Sequence, residues 1–238
     1  IYTYAAEGSG MTDAEANALA DRLVIETGMA IEKEHSIKHS TFVFQGITIE
    51  NHKTFLDVKR YDVAPQVEKI LKRTMNPQVV SLVEGQVLVP SVAFNTLFIA
   101  FHALGHFPGL MTLHHLYDWA VLIQRYGVQL PEVLKDDSLL DGIAALTHLC
   151  NELLGTSVEV QRGKETACMI KENMFRPKYL NDVPVTGRIN ILIYKMKRML
   201  HAYYLKSSIL HYPMWKRICG SIMLHVKHPE IVFRKELH

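Results

Sequence analysis

Glu50 and His52 stand one residue apart in the run Gly46-Ile47-Thr48-Ile49-Glu50-Asn51-His52. Side chains two apart in a β-strand share a face, so this spacing sets a carboxylate and an imidazole side by side with Thr48, while Ile47 and Ile49 are expected to point into a core. A carboxylate so placed is a candidate ligand for a hard cation such as Mg²⁺, which neutralises phosphate charge and aligns the oxygens during phosphoryl transfer. The same alternation also describes the solvent side of a sheet. One carboxylate does not complete a metal site, and the opening run Ile1-Tyr2-Thr3-Tyr4 carries no acid.

A second group of ligand-type residues is His102-Ala103-Leu104-Gly105-His106, followed by His114, His115 and Asp118. His102 and His106 are four residues apart and share a helix face, a spacing used by metalloproteins, and His115 and Asp118 could complete the set. The zinc-protease pattern needs Glu directly after the first histidine, and Ala103 stands there. Histidines hydrogen-bonded between packed helices would account for the same residues. The chain has no Gly-x-Ser-x-Gly elbow, no glycine-rich phosphate loop and no Gly-x-Gly-x-x-Gly. Cys150, Cys168 and Cys219 are too scattered for a disulfide framework and read as buried structural thiols in a reducing, cytoplasmic setting.

These residues need elements to hold them. Thr12-Asp13-Ala14-Glu15 matches a capping box, and Ala16, Leu19, Ala20, Leu23 and Val24 follow at helical spacing until Gly28. Two β-rich runs, 39–45 and 47–52, hinge at Gly46 as an antiparallel hairpin, and residues 1–4 read as an opening strand. A short helix is expected over 63–73 with Pro65 in its first turn, then a second hairpin from 79–83 and 86–89. Beyond it the pattern is helical, over 91–107, 113–126, 138–154, 163–173, 186–209 and 213–226. The fold class is therefore α+β: a small mixed or antiparallel sheet unit over 1–90, followed by a mainly helical domain over 91–238.

Apolar residues make up 48% of the 238, enough for a packed core, and no apolar run reaches a membrane span. Charge is uneven. Residues 161–238 hold 15 basic against 5 acidic side chains, whereas 1–160 hold 11 against 19. The basic, aromatic stretch 188–217, with Tyr194, Tyr203, Tyr204 and Trp215 among Lys195, Lys197, Arg198 and Lys216, could bind nucleic acid or another acidic surface. Solvated helix faces with the aromatics packed inward fit the same pattern.

The order of these features resembles the uncharacterised nucleotidyltransferase family of the DNA polymerase beta-like superfamily, particularly members encoded beside bacterial surface-polysaccharide genes. The resemblance rests on Ile49-Glu50-Asn51-His52, Phe101-His102-Ala103-Leu104-Gly105-His106 and Leu113-His114-His115-Leu116-Tyr117-Asp118-Trp119-Ala120, and extends from about Ile1 to Tyr126. It implies a truncated catalytic sheet in which an aspartate pair, Gly-x-Asp-x-Asp, joins a third carboxylate on a neighbouring strand to hold Mg²⁺. Glu50 matches the third carboxylate, and the pair is expected immediately before Ile1. The implied reaction moves a nucleoside monophosphate from an NTP to a hydroxyl acceptor, for which the family's setting suggests a saccharide. In it, Glu50 binds the metal or accepts the acceptor's proton, and His52 orients the site or contacts phosphate. Lys33, Lys38 and Lys53 are implied triphosphate contacts, and the chain by itself is expected to lack transferase activity. Two departures stand out: Asn51 replaces an apolar residue, and His114 stands where arginine is usual. Two rival readings remain. One is a non-catalytic nucleotide- or protein-binding module of the same fold; the other is a helical metal-dependent hydrolase using His102, His106, His115 and Asp118.

Overall fold

The structure is a computed structural model. It describes residues 2–5, 8–32, 39–83, 85–179, 185–215, 218–220 and 223. Two compact units divide the chain, Ile1–Lys59 and Arg60–His238.

The first unit holds helix α1 (Asp13–Glu26) and strands β1 (Ile31–Glu32), β2 (His39–Phe44) and β3 (Ile47–His52), in sheet order β1-β2-β3. The capping box forms as expected. Thr12 Oγ1 accepts from the Glu15 amide at 3.3 Å, and Glu15 Oε2 accepts from the Thr12 amide at 2.7 Å, satisfying two amides the helix itself cannot. Gly28, at φ 84°, follows the helix where the chain turns away. Strands β2 and β3 join through Gln45 and Gly46, both at positive φ, the two-residue loop that matches the twist of a tight hairpin. β1 is a two-residue strand that the sequence pattern does not announce. The expected opening strand reduces to a parallel bridge between Tyr2 and His52, with the Thr3 amide donating to the His52 carbonyl.

Burial within this unit departs from the apolar pattern. Ile47, expected in the core, is 66% exposed at the hairpin tip with Val43 and Phe44. The inner face instead carries Ser40, Phe42 and Asn51, all buried, with Ile49 half-buried. Leu19 and Leu23 of α1 are also exposed, and the buried residue of that helix is Asn17. The reason is a polar layer. Asp21 accepts from Ser40 Oγ at 2.6 Å, Thr3 Oγ1 donates to Asn51 Oδ1 at 2.8 Å, and Asn17 Nδ2 donates to the Thr3 carbonyl at 3.1 Å. Burying a polar group is costly unless it is hydrogen-bonded, and these partners accommodate Asn51.

The second unit runs α2 (Ala64–Thr74), β4 (Gln78–Leu82), β5 (Gly85–Val89), α3 (Val92–His106), α4 (Leu113–Tyr126), α5 (Asp137–Leu154), α6 (Lys164–Phe175) and α7 (Arg188–Leu210). Among the described residues the β4–β5 hairpin pairs only with itself, and it falls with the helices, being followed by Ser91, whose amide and hydroxyl donate to the carbonyls of Met75 and Thr74 at the end of α2. Ser91 also caps α3 through the Phe94 amide. The core lies among α3, α4 and α5, where Leu97, Leu104, Leu116, Trp119, Leu146 and Leu149 have essentially no exposed surface. Trp119 keeps its polar end satisfied by donating from Nε1 to Thr147 Oγ1 at 3.1 Å. At Gly142 a Cβ would lie 2.7 Å from Ile209 and 2.9 Å from Leu104, so glycine is what lets α3 and α7 close on α5. Half of the expected helix over 213–226 lies outside the described residues; positions 214–215, 218–220 and 223 are helical.

Candidate functional site

The hairpin sets one face of the sheet. Its register pairs His39 with His52 and Thr41 with Glu50, so His39 and Glu50 join His52 on the face away from α1. His52 donates from Nε2 to Glu50 Oε2 at 2.9 Å, and His39 Nε2 lies 4.0 Å from Glu50 Oε1. The Glu50 side chain is 51% exposed, whereas both imidazoles are largely covered. Tyr2 packs between the ring of His52, at a centroid distance of 5.2 Å, and that of Phe55, at 4.4 Å. The carboxylate is thus oriented by an imidazole and open to solvent, an arrangement suited to accepting a proton or a cation. His39 has no motif to mark it. The signal is the turn: a two-residue loop at 45–46 fixes which residues of the two strands pair, and puts 39 beside 52.

Magnesium takes oxygen ligands, and this face offers one carboxylate flanked by two imidazoles. No second carboxylate joins the group among the described residues. The residues present therefore do not by themselves fit magnesium; Glu50 could supply one of its oxygens. Lys53, at the end of this hairpin, is half-buried, and Lys33 and Lys38 lie outside the described residues.

The histidines of the second unit come together only in part. His102, His106 and His115 bring one ring nitrogen each within 4.8 Å of the others. Asp118 does not join them: it shares an exposed helix face with His114, four residues earlier, and its Oδ2 lies 4.0 Å from His114 Nε2. His106 is held neutral, its pKa lowered from 6.5 to about 4 by burial first, then by His102, His115, Arg60 and Lys206.

Of the basic aromatic stretch, Arg198 and Lys206 line a cavity of about 310 Å³ with Lys178, Tyr179 and His201. Tyr204 and Trp215 are exposed, against the expectation that this helix packs its aromatics inward; Tyr203 does pack on Tyr212, at 5.0 Å. Lys216 and Arg217 lie outside the described residues. Cys150 is buried as expected, donating to the Leu116 carbonyl, and burial pushes its thiol up to about 12. Cys168 and Cys219 are exposed, which corrects the reading of all three as buried thiols. No helix among the described residues is long and apolar enough to cross a membrane.

Neither the curated proteins nor the solved structures include a match to this chain. A family model described as an uncharacterised nucleotidyltransferase matches residues 11–155, a span that includes both the β2–β3 hairpin and the α3–α4 histidines. That span covers more than half of the 238 residues, and the chain belongs to the uncharacterised nucleotidyltransferase family.

Proposed function

We propose that the chain contributes the Glu50 corner of a nucleotidyltransferase site, which moves a nucleoside monophosphate from an NTP to a hydroxyl acceptor. The observation that carries this reading is the Glu50–His52 hydrogen bond on a sheet face within the family-matched span. The acceptor hydroxyl attacks the α-phosphorus, the bond from that phosphorus to the bridging oxygen breaks, and pyrophosphate leaves. The proton of the hydroxyl passes to Glu50, whose solvent-facing carboxylate makes it the acceptor. His52 orients the carboxylate through its Nε2–H, and His39 places a second imidazole 4.0 Å from the other carboxylate oxygen. A saccharide is the acceptor class we favour, from the family's setting beside surface-polysaccharide genes.

Two labels test the reaction class in a protein carrying this chain together with the family's aspartate pair. Label at the α-phosphate of the NTP should appear in a saccharide acceptor, and label at the γ-phosphate should leave in pyrophosphate. Transfer of the γ-label to the acceptor would make the protein a kinase and overturn the reading.

A further inference from the structure

The corner between α3 and α4 holds three imidazoles and no carboxylate among the described residues. His102 and His106 stand on one face at the end of α3, and His115 sits in the first turn of α4. Their ring centroids are 4.6 Å apart for His102 and His106, 4.6 Å for His106 and His115, and 5.8 Å for His102 and His115. The Nε2 atoms of His102 and His106 are separated by 3.2 Å. Two nitrogens bound tetrahedrally to one zinc ion at its usual bond length lie about 3.4 Å apart, so this pair needs to move by only a few tenths of an ångström.

From this geometry we propose that His102, His106 and His115 form a transition-metal site of the zinc type in the helical unit. An all-nitrogen donor set excludes magnesium and calcium and suits zinc, cobalt or nickel. The third imidazole is oriented by the helix cap: His115 Nδ1 accepts from the Thr112 amide at 3.2 Å and lies 3.0 Å from Thr112 Oγ1. A neutral ring accepting at Nδ1 holds its proton on Nε2, so ligation through Nε2 takes the other tautomer, in which Nδ1–H donates to the threonine hydroxyl and the bond from the Thr112 amide is given up. His102 is exposed, and His106 and His115 are half-buried, so the fourth position of the metal opens to solvent. A hydrogen-bonded chain of histidines is the arrangement this proposal displaces.

The test is titration of chelator-treated full chain with Co²⁺, read by the visible absorption of a tetrahedral cobalt centre, together with Zn²⁺ competition against a chromophoric chelator. One equivalent should bind with the cobalt spectrum of nitrogen ligation. H102Q, at an exposed position where the fold tolerates exchange, should weaken binding at least about 10-fold, as should H106Q. H114Q and H39Q should leave that equivalent intact, which separates this site from the Glu50 face. Absence of stoichiometric binding would overturn the proposal, as would binding that survives H102Q or that is lost equally with H114Q. Each variant is checked for native circular dichroism, and if H106Q unfolds, the affinity of H102Q alone decides the matter.

Discussion

Burial, more than residue type, sets what single side chains can do in this protein. Cys150 is buried against the Leu116 carbonyl with its thiol pushed up to about 12, whereas Cys168 is exposed. A thiol reagent acts on the thiolate, so at neutral pH Cys168 should react at once and Cys150 only on unfolding. Labelling followed by peptide mapping checks this, and Cys150 modified in native protein would contradict it. The shared face of Glu50 and His52 is legible in the sequence because strand alternation needs no tertiary information. His39 is not, since its place beside His52 depends on how two strands pair across a turn. Asn51 stands out in the sequence only as a departure from the family, and its burial among Thr3, Asp21 and Ser40 depends on residues far away along the chain.

Helices and strands are the most legible level. The run 113–126 is expected as a helix and α4 is Leu113–Tyr126, because its apolar spacing and the following glycine mark both ends. What fails is the direction in which α1 faces. Its leucines suggest one packing stripe, yet the sheet is met through Asp21, because the partners available on the sheet are Ser40 and Asn51, while Asn17 donates to the Thr3 carbonyl. Capping of α1 makes a prediction at this scale. Thr12→Ala removes the side-chain acceptor for the Glu15 amide and should cost about 1 kcal/mol in denaturant unfolding. The Thr12 amide, then the Thr12 hydroxyl, hold the Glu15 carboxyl below its ordinary pKa. A lowered carboxyl pKa contributes stability above the unfolded value, lost as pH falls through the folded value. The penalty for Glu15→Gln should therefore shrink as the solution is acidified below the carboxylate range, and a penalty that grew on acidification would contradict the cap.

At the scale of the whole molecule, the described residues present two donor groups of different chemistry, one in each compact unit. The α+β class and the helical second part are readable from periodicity. The grouping of the β4–β5 hairpin with the helices is not, because nothing in an isolated hairpin's pattern says which neighbour its ends will bond. The three-histidine corner is half-legible: the four-residue spacings of His102 with His106 on α3 and of His114 with Asp118 on α4 are local, but the arrival of His115 beside the first pair depends on how α4 packs against α3. The central claim is that Glu50 carries the chemistry of nucleotidyl transfer. Its most direct test compares the single-turnover rate of α-label transfer for Glu50→Gln and His102→Gln in a protein that contains this chain and the family's aspartate pair. Glu50→Gln should slow transfer by roughly 100-fold or more while His102→Gln does not, and a Glu50→Gln protein that transfers at the unaltered rate would contradict the account.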